Sequence, residues 1–147
     1  MERPKITAST IEKAAQMTAS QTCNIEQNDV SDLAKDIARS YHHHMDGYQI
    51  AKRMEDFGWD VDAMFVENMD DMGANVSTCH DEEQRLWAEQ TNPQPPYQIG
   101  AKTTKGEITG IYEYGAAKYT IKPPGQDDAK TGHWRLIVNF EDVVLAP

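Results

Sequence analysis

Apolar residues recur every three or four positions through the first 92 residues, the spacing that places them on one face of an α-helix. The clearest case lies between Val30 and Tyr41. We expect this helix to begin after Asn28 or Asp29, both of which are good capping residues, and to end near His44. The apolar positions that carry the pattern are Val30, Leu33, Ala34, Ile37, Ala38 and Tyr41.

Two capping boxes predict helix starts on either side of that segment. In a capping box, a Ser, Thr or Asp side chain and the side chain three positions later each bond the other residue's backbone N–H. Ser9 with Glu12 predicts a first helix that runs to about Gln21, and Asp46 with Gln49 predicts a third. The inner face of the first helix consists mainly of small residues, which suits packing against another helix more than independent stability.

Glycines are expected to end the helices that follow, because glycine readily adopts the left-handed conformation that closes a helix. The third helix should stop at Gly58, and a fourth, apolar on one side and acidic on the other, should stop at Gly73. A fifth helix is predicted to start near Ser77 or Thr78. The sequence therefore predicts a bundle of four to five helices over residues 1–92.

The pattern changes at Asn92-Pro93-Gln94-Pro95-Pro96, which cannot continue a helix because proline lacks the backbone donor. Beyond it, short runs of β-branched and aromatic residues alternate with glycines. Four or five strands in about 50 residues imply a small closed barrel or a curled sheet, since few other shapes protect so many strand edges. We predict an α+β fold, with an acidic helical domain at 1–92 and a small β-barrel module at 93–147.

The order of strands and turns in the second module resembles SH3-like barrels. Its runs are Ile99-Gly100, Lys105 to Ile111, Lys118 to Ile121, and Arg135 to Leu145, with a polar loop from Pro123 to Gly132 that is long for such a barrel. The module is also similar to parts of uncharacterised bacteriophage and prophage proteins. This resemblance covers about a third of the chain, implies a fold, and transfers no catalytic or binding residue.

Charge is divided unequally between the two modules, although the whole chain carries a formal charge of −10. Residues 1–92 hold 18 acidic and 8 basic side chains, whereas residues 93–147 hold 6 of each. Such a negative field repels phosphates and attracts basic surfaces, which predicts a protein partner and no direct contact with nucleic acid. The residues expected to bind that partner are Asp60, Asp62, Glu67, Asp70, Asp71, Glu82 and Glu83.

Four aromatic side chains are candidate anchors at an interface, where large rings supply much of the affinity. They are Trp59, Phe65, Trp87 and Trp134. Each also has apolar neighbours in the sequence, so the alternative for each is a place in the core.

Candidate catalytic chemistry is sparse. His42, His43 and His44 are consecutive, and consecutive helical residues point about 100° apart, so the three cannot together bind one tetrahedral ion from an intact helix. A mixed site that joins one of them to Cys79 or His80 stays open as an alternative. The paired carboxylates are expected to be solvated, and no nucleophile motif is present. We predict a protein that is not an enzyme, with no catalytic residue, metal or cofactor.

No apolar run approaches the roughly 20 residues that a membrane span needs, and the first ten residues lack the apolar core of a signal peptide. We therefore expect a cytoplasmic protein without membrane contact. In that reducing compartment Cys23 and Cys79 should be free thiols.

Together these observations favour a binding effector whose acidic helical face docks on a basic surface of a nucleic-acid-handling complex. With the resemblance to bacteriophage proteins, the sharpest hypothesis is a phage-encoded inhibitor of a bacterial defence system, of the anti-CRISPR kind, acting in the host cytoplasm. One alternative is a structural or assembly protein of a phage. A further alternative is an enzyme that depends on a metal or a thiol.

Overall fold

The computed structural model describes the backbone of residues 1–147 and every side chain except that of residue 131. The chain forms two compact units. One comprises Glu2–Glu83 and is called the helical unit here; the other comprises Met1 with Gln84–Pro147 and is called the β unit. The α+β class predicted from the sequence is confirmed, because helices are followed by an antiparallel sheet.

Four helices cover most of the first 91 residues. They are α1 (Ala8–Gln21), α2 (Val30–Ser40), α3 (Gly47–Asp56) and α4 (Ala63–Thr91), with a 3-10 turn at Gln27–Asp29 before α2. The capping box predicted at Asp46 and Gln49 is present. At α1 the box lies two residues earlier than predicted, because Thr7 caps the helix and exchanges bonds with Thr10.

Helix α2 ends at Ser40 rather than near His44. Tyr41 adopts an extended backbone and is buried in the core of the helical unit, so the chain turns inward at that point. The three consecutive histidines consequently lie outside the helix. The spacing of about 100° between consecutive helical residues therefore does not apply to them.

The predicted fourth and fifth helices are one helix, and the expected break at Gly73 is wrong. The buried face of α4 continues across that glycine, with Met69 and Met72 before it and Val76 after it. Burial of several large side chains outweighs the roughly 1 kcal/mol that glycine costs inside a helix relative to alanine. Among the described residues, no helix combines the length and apolar character required to cross a membrane.

Close packing of α3 against α4 depends on Gly47, the first residue of α3. A Cβ atom at this position would overlap the Val66 carbonyl oxygen and lie 2.5 Å from Asp70 Oδ1. The rest of the core combines alanines from α1 with larger side chains from the other helices, and its fully buried members include Leu33, Ile50 and Met69.

The β unit contains a four-stranded antiparallel sheet in the order β1-β2-β3-β4. The strands are β1 (Lys102–Thr103), β2 (Gly106–Ile111), β3 (Lys118–Lys122) and β4 (Leu136–Asn139). Ile108, Tyr119 and Ile121 are fully buried at its core. The sheet is open, so the closed SH3-like barrel predicted from the sequence is not confirmed. The long polar loop contains a short helix, α5 (Asp128–Thr131).

Candidate partner-binding surfaces

The seven acidic residues predicted to bind a partner all lie in the helical unit, and three of them also bond within it. Asp62 has a structural role, because its Oδ1 accepts the backbone N–H of Phe65 at 2.8 Å and so caps the start of α4. A carboxylate at this end of a helix also interacts favourably with the helix dipole.

Asp70 and Glu83 also bond within the unit. Asp70 Oδ1 accepts the backbone N–H of Gly47 at 2.5 Å and thereby holds the start of α3 against α4. Glu83 accepts the Thr10 hydroxyl at 2.9 Å and the Lys13 ammonium at 3.4 Å. These carboxylates fasten helices together, and their replacement would disturb the fold as well as any interface.

Three of the remaining predicted residues lie on the exposed side of α4. Glu67, Asp71 and Glu82 are joined there by Asp81, which the sequence prediction left out. At 100° per residue the four fall within about 100° of one another around the helix axis. We call them the acidic ridge. Only the continuity of α4 through Gly73 places residues 67 and 82 on the same side.

Asp60, the last of the seven, borders a surface cavity of about 550 Å³ in the helical unit. We call it the acidic cavity. Its wall combines four aspartates with two aromatic rings: Asp29, Asp32, Asp36, Asp60, Phe57 and Trp59, together with Lys35 and Gly58. Three of the aspartates and Lys35 come from α2 and the turn before it, and the other residues come from the segment between α3 and α4.

One side of this wall already binds a guanidinium group. Arg39 pairs with Asp36 at 2.9 Å, and its Cζ lies 3.8 Å from the centre of the Phe57 ring. The second oxygen of Asp36 accepts the Trp59 indole N–H at 2.9 Å. The arrangement joins a carboxylate to two aromatic rings, and it fixes the orientation of both.

The other three aspartates of the cavity, Asp29, Asp32 and Asp60, are exposed and have no ion pair among the described residues. Carboxylate oxygens beside an aromatic face are the groups that bind guanidinium or ammonium ions, through charged hydrogen bonds and cation–π contact. The acidic cavity is therefore suited chemically to a basic side chain.

The four candidate anchors differ in exposure. Phe65 and Trp87 are buried, and Trp59 is half-buried with its indole N–H bonded as described above. Trp134 is 54% exposed. Phe57 is 41% exposed and borders the acidic cavity, although its spacing in the sequence predicts a place on the inner face of α3.

The candidate metal and thiol residues do not come together. His42, His43 and His44 are exposed beyond the end of α2, whereas His80 Nε2 lies 3.0 Å from the Pro4 carbonyl oxygen. Within the described part of the chain, no group of three His, Cys, Asp or Glu residues is placed to hold a metal ion.

Cys79 is partly buried, with its Sγ 3.4 Å from Met17 Sδ. Burial raises the pKa of the Cys79 thiol, the Glu83 carboxylate raises it further, and Lys13 opposes both. A raised pKa lowers the thiolate fraction at neutral pH, which disfavours nucleophilic reactivity. Cys23 is also a free cysteine.

The β unit pairs its charges locally. Both carboxylate oxygens of Asp128 accept bonds from Arg135, at 3.0 and 2.9 Å, and Lys122 lies 3.7 Å away. These contacts, led by the Arg135 hydrogen bonds, lower the pKa of Asp128. Lys102 bonds Glu107 at 2.8 Å, which likewise lowers the pKa of Glu107.

Comparison of the chain with protein-family models, with curated proteins and with solved structures gave no match.

Proposed function

We propose that this protein is a non-enzymatic binding effector whose acidic helical unit docks on a basic surface of a nucleic-acid-handling complex. In this proposal the acidic cavity receives an arginine or lysine side chain of the partner. A single observation carries it: four aspartates and two aromatic rings border one cavity, and part of the same wall already holds the Arg39 guanidinium.

The charge of the helical unit supports a basic partner. Glu2–Glu83 contain 17 acidic and 7 basic side chains, a formal charge of −10, whereas the β unit holds 7 of each. A surface of this sign accelerates encounter with a basic protein and repels nucleic acid. It would compete with phosphates for the same basic residues of the partner.

In this proposal the acidic cavity and the acidic ridge contribute differently to binding. Ridge carboxylates are exposed to solvent, where an ion pair contributes about 0–1 kcal/mol, so they should act mainly on the association rate. A basic side chain in the cavity would lose more water and would contact a ring as well as carboxylates. Contacts from which a partner surface excludes water supply most of the affinity at protein interfaces.

The most specific form of the proposal is a phage-encoded inhibitor of a bacterial defence system, of the anti-CRISPR kind, acting in the host cytoplasm. The β unit is proposed to be an SH3-like module that orients the helical unit or makes a second contact. Its C-terminal segment returns to β1, with Thr104 N bonded to the Val144 carbonyl at 2.9 Å and Ala146 N bonded to the Lys102 carbonyl at 3.0 Å. This return supports an SH3-like connection.

Capture from a bacterial lysate, followed by mass spectrometry at low and high salt, tests the proposal. The bait is the full chain, compared with a cavity variant (Asp32→Asn with Asp60→Asn) and a ridge variant (Glu67→Gln with Asp71→Asn). A third bait, Glu113→Gln with Glu141→Gln, removes two charges from the β unit as a control. Asp62 and Asp70 stay unchanged because they hold the fold.

We expect one basic partner that high salt releases, that the control retains, and that the cavity variant captures at least tenfold less. A tenfold loss corresponds to about 1.4 kcal/mol of binding free energy. The ridge variant should show the smaller loss. Capture of the partner by the cavity variant as efficiently as by the original chain would overturn the role of the cavity.

A small probe tests the cavity without the partner. Arginine amide is titrated into the full chain, and the Trp59 and Trp134 indole N–H resonances are followed by NMR. A saturable shift at Trp59 that the cavity variant loses, without a comparable shift at Trp134, is expected. Equal shifts at both indoles would indicate unspecific association and count against a built cation site.

A further inference from the structure

A second groove in the helical unit lies between α1 and α2 and has a volume of about 580 Å³. Its floor consists of small and apolar side chains, and its walls are charged. Ile11, Ala34 and Ala38 belong to the floor, and none of the three is exposed. The α1 wall carries Glu12, and the α2 wall carries basic residues.

The two walls of the groove have opposite charge. Lys35 and Arg39 stand on α2 across from Glu12 on α1. Glu12 and Lys35 are both exposed, and neither has an ion pair within the described part of the chain, although they border the same groove. Arg39 pairs with Asp36 but keeps 59% of its side chain exposed.

Opposite walls of this kind are self-complementary. A two-fold axis parallel to the groove would place α1 of one copy over α2 of the other. Glu12 of each copy would then face Lys35 and Arg39 of its partner, twice in the same dimer, as an isologous interface requires. The alanines of the floor would allow the four helices to approach closely.

We propose that the groove between α1 and α2 is the interface of a symmetric dimer of this chain. The two helices present a face of roughly 400 Å² per copy, from lengths of about 21 and 16 Å and a width of about 10 Å each. That is half of the about 800 Å² per partner in a standard interface, so the dimer should be weak and reversible. This proposal does not depend on the basic partner proposed above.

Charge reversal tests the pairing directly. Sedimentation equilibrium of the full chain is measured from about 5 to 500 µM, because the dimer fraction must rise with concentration. Glu12→Lys and Lys35→Glu are measured separately and then as an equimolar mixture. Glu55→Lys and Lys52→Glu, on α3, change the net charge by the same amounts outside the groove.

Each groove reversal alone is expected to weaken self-association more than tenfold. In Glu12→Lys the introduced ammonium would face two cations of the other copy, and in Lys35→Glu the introduced carboxylate would face Glu12. The mixture should form a heterodimer that is tighter than either variant alone but weaker than the original dimer. The pairing between positions 12 and 35 is restored on both sides, while the introduced ammonium still faces Arg39 of the other copy. The α3 variants should dimerise like the original chain. Circular dichroism spectra checked for each variant keep an unfolded protein from being mistaken for a monomer.

Three outcomes would overturn the dimer. The original chain could remain monomeric at every concentration, which would leave the groove to a helix of another protein. Both groove reversals could dimerise as well as the original chain, or the mixture could fail to recover association although each variant is folded. Each of these last two results would show that Glu12 and Lys35 do not pair across the interface.

Discussion

The two units carry charge in different ways. In the β unit acidic and basic residues are equal in number, and Asp128 and Glu107 are each bonded to a cation. In the helical unit the acids outnumber the bases by ten, so local pairing cannot neutralise them. An excess that local pairing cannot neutralise leaves a net negative potential on the helical unit, whereas the balanced charges of the β unit leave none.

Each unit also contains one glycine at which an added Cβ atom would overlap the backbone of a neighbouring element. Gly47 fulfils this role between α3 and α4, and Gly106 fulfils it between β2 and β3. The difference is that Gly106 also has a φ of 132°, a conformation that other residues rarely adopt. The β unit should therefore be the more sensitive of the two to a single methyl group.

Gly106→Ala is expected to have the largest effect, a loss of roughly 3 kcal/mol or more, because overpacking and a positive φ act together. Its Cβ would overlap the Lys122 carbonyl group. Amide hydrogen exchange in β2 and β3 measures the loss. Gly125→Ala, with a φ of 77° and open space around it, is the matched control and should cost about 1 kcal/mol. Equal losses would remove the steric explanation.

Gly47→Ala is expected to destabilise the helical unit by about 2–3 kcal/mol, since its methyl group would overlap the backbone of α4. Gly73→Ala is the control on α4, where nothing lies within 4 Å. Without a clash, alanine should stabilise that helix by about 0.5–1 kcal/mol. Amide exchange in α3 and α4 gives both values. The same sign for both substitutions would contradict the packing described for α3.

Trp59→Phe is expected to cost about 1 kcal/mol, because it removes the indole donor to Asp36 while keeping a ring at the cavity. Denaturant unfolding followed by far-UV circular dichroism measures it. Arginine amide should still bind, since the carboxylates and the Phe57 ring remain. In this variant the backbone amide resonances of residues 57–60 replace the indole signal as the measure of binding. A loss of binding equal to that of the cavity variant would assign recognition to the indole instead of to the aspartates.

The smallest expected effect is a change in how the stability of the β unit depends on pH. The pKa of Asp128 is lower in the fold than its usual value, chiefly through its hydrogen bonds to Arg135, so the folded state favours the charged form. This contribution to stability is present above the unfolded pKa and is lost as the pH falls through the folded value. Asp128→Asn should reduce the acid-induced loss of stability in β3 and β4, as followed by amide exchange between about pH 5 and 3. An unchanged pH dependence would show that the pair contributes nothing measurable.

Sequence pattern determined the features that depend on neighbours in the chain. The helix from Val30, the capping box at Asp46 and the concentration of acids in the first 92 residues follow from local spacing and composition. The α+β class follows as well, because the hydrophobic period changes beyond the proline-rich segment. Local spacing failed at Gly73, since the burial of residues on both sides of it decides whether the helix continues.

The arrangement of the acidic residues was decided by the tertiary structure. Asp62, Asp70 and Glu83 carry the same charge as Glu67 and Asp71. In the fold, however, Asp62, Asp70 and Glu83 each accept a hydrogen bond from within the helical unit. The acidic cavity joins residues 29–36 to residues 57–60, and no sequence period connects them. A charge acquires its role from the groups brought next to it in space, and those contacts exist only once the helices have packed.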